Sequence, residues 1–104
     1  MINITSASFK EVITTNGMVL IDVWAPWCGP CKRMDQELEI VASNPSAAKL
    51  TIAKVDADEE FDLAAELGVK AVPSFFLYKD GQKIDFWTGF CTAGSIVARL
   101  DKLA

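Results

Sequence analysis

From Met18 to Trp24 the chain is apolar at every position except Asp22, with no alternation between faces. Strands covered on both sides read this way, so the run predicts a central, buried strand. Leu50 to Val55 predicts a second buried strand and Ser74 to Tyr78 a third. Lys79-Asp80-Gly81 then turns the chain into a further strand, Lys83 to Trp87, because Asp-Gly accepts the positive φ angles of a tight hairpin.

Between these runs the period changes. After Cys31, the apolar residues Met34, Leu38 and Val41 recur at helical spacing, while Lys32, Arg33, Asp35, Gln36, Glu37 and Glu39 are expected to face water. A shorter stripe of Phe9, Val12 and Ile13 follows Ser8, which with Glu11 three residues later predicts a capping box; Asn16-Gly17 predicts the stop. Glu59 to Leu67 predicts a third helix ended by Gly68. Thr92 is expected to cap a last helix with Ile96, Leu100 and Leu103 inward. The order β-α-β-α-β-α-β-β-α predicts an α/β fold of one domain, residues 1–104, with a mixed sheet between helices.

Composition narrows the function classes. Half of the 104 residues are apolar (51%), enough for one continuous core in a chain this short. Acidic residues outnumber basic ones, 14 to 10, which argues against nucleic acid or an anionic membrane as the main partner, since phosphate binding needs clustered Lys and Arg. No stretch approaches the roughly 18 to 20 apolar residues of a membrane span. The start, Met1-Ile2-Asn3-Ile4-Thr5, lacks the basic residues and long apolar run of a secretion signal, so the expected location is cytoplasmic. Three Cys and no His exclude a Cys–His protease and disfavour both a disulfide-stapled secreted fold and a four-ligand zinc site; no metal is expected.

The chemistry then concentrates at Cys28-Gly29-Pro30-Cys31. The spacing C-x-x-C is weak evidence alone, but here it falls where an apolar strand turns into a helix. A sulfur at a helix N-terminus meets free N–H groups and the positive end of the dipole, which stabilise the thiolate, the attacking species. Gly29 and Pro30 add no charge, so the activation is expected to be moderate and to favour a reductant over a strong oxidant. Two buried structural cysteines are the plainer alternative.

Asp22 has two readings. Buried in its strand, it would carry a raised pKa and could accept a proton; at a strand edge, or paired to Lys54, it would be ordinary. Val72-Pro73 is likewise open between a plain strand start and a cis peptide that exposes backbone to a bound polypeptide.

Taken together, Trp24-Ala25-Pro26-Trp27-Cys28-Gly29-Pro30-Cys31-Lys32, Asp22 six residues ahead of the first Cys, Lys54, Val72-Pro73-Ser74, Lys79-Asp80-Gly81 and Gly89 resemble the thioredoxin family over almost the whole chain, in the right order. The resemblance implies the three-layer α/β/α sandwich of that family and a protein-disulfide reductase that maintains cell redox balance. It makes Cys28 the nucleophile and Cys31 the buried resolving thiol, and Asp22, aided through Lys54, the group that moves the proton. Pro73 would be cis, and Trp27, Gly29, Pro30, Val72, Pro73 and Gly89 would form a shallow docking surface. The family binds no cofactor and draws electrons from NADPH through a flavoprotein thioredoxin reductase; the partners implied are that reductase and disulfide-containing clients, with the chain a monomer.

Some positions depart from the family pattern. Gln36 stands where many relatives have a helix-interior Pro, which predicts a straighter helix. Phe90 adds bulk beside Gly89, and Cys91 is either a buried or half-buried filler or a thiol open to cross-linking. Phe86 and Trp87 read as packing residues. Three rivals stay in view: an oxidase or isomerase, disfavoured by the absence of a His between the cysteines; a Cu(I) carrier, disfavoured by bulky Trp27 and the missing Met; and a non-catalytic docking scaffold, disfavoured by the intact Cys28, Cys31 and Asp22.

Overall fold

The computed structural model describes residues 1–104. Ten elements follow one another: β1 (Ile2–Asn3), α1 (Phe9–Ile13), β2 (Met18–Trp24), α2 (Gly29–Ala42), a single 3-10 turn (Pro45–Ala47), β3 (Leu50–Asp56), α3 (Phe61–Glu66), β4 (Ser74–Lys79), β5 (Gln82–Thr88) and α4 (Ala93–Leu103). The strands form one sheet in the order β1-β3-β2-β4-β5. β3 runs parallel to β1 and β2, whereas β4 is antiparallel to β2 and β5. The α/β reading with a mixed sheet therefore holds. No helix is long and apolar enough to cross a membrane.

β2 is apolar without alternation because both of its faces are covered. Leu20 joins Met34, Leu38, Val41, Ile52, Phe75, Leu77, Ile96 and Leu100 under α2 and α4. Val19, Ile21 and Val23 join Ala53, Val55, Leu63, Phe76 and Tyr78 on the opposite side, under α1 and α3. Each fully buried aliphatic or aromatic side chain there contributes about 1.5–3 kcal/mol by leaving water. Strand alternation then fixes one fact that matters for the site. Asp22, two residues on from Leu20, points to the α2 side, and so does Lys54, two residues on from Ile52.

Helix α2 follows the predicted stripe, with Cys31, Met34, Leu38 and Val41 buried. It runs unbroken through Gln36, as expected of a helix interior without Pro. Two of its expected water-facing acids turn inward instead: Asp35 pairs with Lys54, and Glu37 accepts the N–H of Ala93 at 2.8 Å, tying α2 to the first turn of α4. Both partners lie far along the chain, beyond the reach of a local pattern. Thr92 caps α4 as predicted, its hydroxyl accepting from Ser95 N–H at 3.2 Å.

Two local expectations need correction here, and one holds. Ser8 makes no capping box with Glu11; its hydroxyl accepts from Thr5 N–H at 3.0 Å, since the turn already begins at Thr5. Helix α3 starts at Phe61 rather than Glu59, because the Asp56 carboxylate accepts from the N–H groups of Asp58 and Glu59 and holds them in a turn. The Asp-Gly hairpin forms as read, with Asp80 at φ 54° and Gly81 at φ 79° between paired Lys79 and Gln82.

Helix α1 itself closes at Ile13, capped by Thr14, so Asn16-Gly17 does not end it. Gly17 instead turns the chain into β2 at φ 92°, and a β-carbon there would stand 2.4 Å from the carbonyl oxygen of Lys49. Gly17→Ala meets both the positive φ and that backbone clash. It is expected to destabilise the fold by about 1–3 kcal/mol, measured by denaturant unfolding.

Candidate active site

The last residue of β2 leads through Ala25-Pro26-Trp27 directly into α2, and Cys28 occupies the N-cap. Its backbone is extended (φ −90°, ψ 109°), and its sulfur accepts the N–H of Cys31 at 3.2 Å. An N-cap side chain normally supplies an oxygen to these otherwise unpaired donors; here a sulfur takes that place. Pro30 stands in the first turn, where a missing N–H costs nothing. With no acidic residue in that turn, the positive helix end acts on the sulfur unopposed.

Cys28 and Cys31 are joined as a disulfide, with Cα atoms 5.3 Å apart, inside the range a disulfide spans. They cluster with Ala25, flanked by Trp24 and Val72. Cys28 keeps 4% of its surface exposed and Cys31 2%, so an outside sulfur reaches the pair through a narrow opening.

Asp22 has no solvent exposure, and neither carboxylate oxygen has a hydrogen-bond partner. Of the two sequence readings, burial is the one realised. Desolvation pushes its pKa up to about 7, Lys54 pulls it down, and Asp35 adds to the rise. Lys54 is the register neighbour of Asp22 across β2 and β3, yet its ammonium meets Asp35 at 2.5 Å and lies 4.9 Å from the centroid of the Trp24 ring. Asp35 was invisible as a site residue in the sequence, because its charged neighbours on α2 made it look like part of a solvated face.

Of the expected docking residues, Trp27, Gly29 and Pro30 are exposed, Val72 and Gly89 half-buried, and Pro73 buried. The Val72-Pro73 peptide is cis. Pro73 contributes its backbone here: its carbonyl accepts Gly89 N–H at 2.8 Å, which brings the two loops together. The N–H and C=O of Val72 are unengaged within the chain. Trp27, 72% exposed, donates its indole N–H to Asp58 at 3.4 Å.

Beyond Trp27 and Val72 the surface continues into a groove of about 380 Å³, bounded by Ala57, Phe61, Val69 and Lys70. Phe61 is also 72% exposed, a large apolar residue at the start of α3. No local signal marks it: Phe61 lies three residues before buried Ala64, on the same side of α3, where helical spacing predicts an inward aromatic.

The outlying residues resolve as packing. Cys91 is half-buried; its sulfur accepts the Trp87 indole N–H at 3.3 Å, and its own N–H points to the Met34 sulfur at 3.4 Å. Trp87 stacks on Phe75 with centroids 5.4 Å apart, and the Arg99 guanidinium lies 4.0 Å above it. Phe86 packs on Phe76 at 4.8 Å. Phe90, half in solvent, sits under the Arg33 guanidinium at 5.1 Å, linking its loop to α2.

A bonded cysteine pair at the mouth of a helix, on a mixed sheet sandwiched between helices, defines a dithiol–disulfide exchange protein. Residues 1–102 match the thioredoxin family model. The chain is 43% identical over 81 residues to thioredoxin from Malassezia sympodialis, covering 78% of this chain and 77% of that one. It is 45% identical over 80 residues to thioredoxin-1 from Schizosaccharomyces pombe, covering 77% and 76%. Among solved structures, Plasmodium falciparum thioredoxin superposes with a TM-score of 0.87 at 30% identity over 100% of both chains. The Malassezia sympodialis thioredoxin structure gives 0.85 at 35% identity over 98% of this chain and 90% of that one. The chain belongs to the thioredoxin family. It is a thiol–disulfide oxidoreductase that acts on disulfide-containing substrates, chemistry that needs no bound cofactor.

Proposed function

We propose that the chain works as a protein-disulfide reductase, a monomer in the cytoplasm, recharged by electrons from NADPH through a flavoprotein thioredoxin reductase. The observation that carries the reading is the Cys28–Cys31 pair at the N-terminus of α2, with Gly29 and Pro30 between the sulfurs and no His in the chain. The helix end favours the thiolate and no His adds to it, so the dithiol is not drained of reducing power as it would be with a His between the sulfurs.

In the proposed cycle the Cys28 thiolate attacks one sulfur of a client disulfide, forming a mixed disulfide and releasing the other client sulfur as thiolate. The Cys31 thiol gives its proton to the Asp22 carboxylate and attacks the Cys28 sulfur. The Cys28–Cys31 bond closes, the second client thiolate leaves, and two electrons have passed from this chain to the client. Asp22 suits this task because a base near pKa 7 is half ionised at neutral pH and still basic enough to accept. Lys54 supports Asp22 electrostatically. The client segment lies across Trp27, Gly29, Pro30, Val72, Pro73 and Gly89, where the free N–H and C=O of Val72 can pair with an extended backbone.

Insulin reduction followed as NADPH oxidation in the presence of thioredoxin reductase tests this. Turnover is expected only when chain, reductase and insulin are all present. The redox potential measured against glutathione is expected near the thioredoxin value of about −270 mV. A potential near those of dedicated oxidants and isomerases, about −120 to −180 mV, would overturn the reductant assignment.

A further inference from the structure

Asp35 follows Cys31 by four residues, which places it one turn further along the same side of α2. Parallel register sets Lys54 beside Asp22, and alternation aims both side chains at that helix. An ion pair between these two neighbours would be the simple outcome. Instead the Lys54 ammonium, whose side chain is 14% exposed, joins the half-exposed Asp35, and Asp22 keeps both oxygens unpartnered. Trp24 closes the arrangement from β2, its ring 4.9 Å from the Lys54 nitrogen.

We infer that Asp35 is a positioning residue for Asp22: it holds the Lys54 ammonium on the helix side and leaves the buried carboxyl without a counter-ion. Two effects of Asp35 then act in the same direction. Its own negative charge opposes ionisation of Asp22, and its grip on Lys54 keeps the one cation that favours it from pairing directly, so that Lys54 lowers the pKa only from a distance. Lys54 and Asp35 are the charges that act on Asp22; Asp56, Glu59 and Glu60 share a hollow with Lys54, but its ammonium pairs with Asp35. β4, the other neighbour of β2, offers Ser74, Phe75, Phe76 and Leu77 along Asp22, none of them ionisable in the working range. From α2 the remaining group is Cys31, which does not titrate in the disulfide. This inference rests on the reading of Asp22 as proton acceptor only for its consequence in turnover, not for the geometry.

Titration of Asp22 in the oxidised protein, followed by carboxyl carbon NMR, tests it in three variants. In Asp35→Asn the midpoint is expected to fall by about one unit or more, because Lys54 is free to turn to Asp22. Asp35→Glu is expected to keep the high midpoint, and Lys54→Met to raise it further. Combining Asp35→Asn with Lys54→Met should give much less than the single Asp35→Asn shift, since the released ammonium is gone. A role confined to tying α2 to β3 would change unfolding without moving the Asp22 midpoint. An Asp22 midpoint in Asp35→Asn unchanged within about 0.3 unit overturns the inference. Should the midpoint fall while the pH profile of insulin reduction stays put, the positioning role stands and the proton-acceptor role of Asp22 fails.

Discussion

Cys28→Ser is expected to lower insulin-disulfide reduction by at least about 10³-fold, to the level of the assay without the protein. A serine hydroxyl at the same N-cap would still accept the N–H of Cys31, so the helix start is preserved and the loss is chemical. Cys31→Ser behaves differently. Its Cys28 keeps the helix end and attacks, but nothing displaces the client, so the mixed disulfide accumulates and runs as a heavier, reductant-sensitive band on gels. The contrast between the two variants assigns nucleophile and resolving thiol. Turnover surviving in Cys28→Ser, or a trap forming there rather than in Cys31→Ser, would reverse the assignment.

Asp22→Asn carries the second large effect, and on stability its sign is unusual for an aspartate. The unfolded carboxyl titrates near 3.8 and the folded one near 7. Between those values the native state holds a proton that the unfolded chain has released, so the stability of the unaltered protein falls as pH rises through the window and levels off above it. The gap corresponds to about 4 kcal/mol, with no discount for screening because Asp22 is wholly buried. Asparagine cannot ionise, so the variant should lose this slope and gain several kcal/mol on its parent between about pH 4 and pH 8. Urea unfolding at the two pH values measures it; parallel pH dependence in parent and variant would contradict the buried, unpaired carboxyl. In insulin reduction the same variant is expected to be slower by about tenfold or more, since a positioned base is lost.

The asymmetry between these predictions and the sequence follows from range. Cys28 and Cys31 are three apart, and the turn from strand to helix that activates them is written in the same ten residues. The buried strand Met18–Trp24, the stripe of Met34, Leu38 and Val41, and the Asp80-Gly81 turn are local in the same sense: each is a spacing or a conformational preference that neighbours on the chain enforce. Where local signals competed, the reading slipped. Ser8 offered a cap, but Thr5 had already claimed its hydroxyl; Glu59 looked helical, but the Asp56 carboxylate held its N–H in a turn.

By itself, then, the amino-acid order determined the strands and helices, the α/β class, the redox pair and an acid of uncertain surroundings at position 22. Tertiary structure alone decided that this acid is sealed from water, that Lys54 turns from its register neighbour to Asp35, and that Trp27 and Phe61 share a groove. The physical reason is that burial and charge pairing act through space. Asp22, Asp35 and Lys54 are separated by 13 and 19 positions along the chain, and only the parallel pairing of β2 with β3 under α2 brings them close enough for Coulomb forces in a dry interior to count.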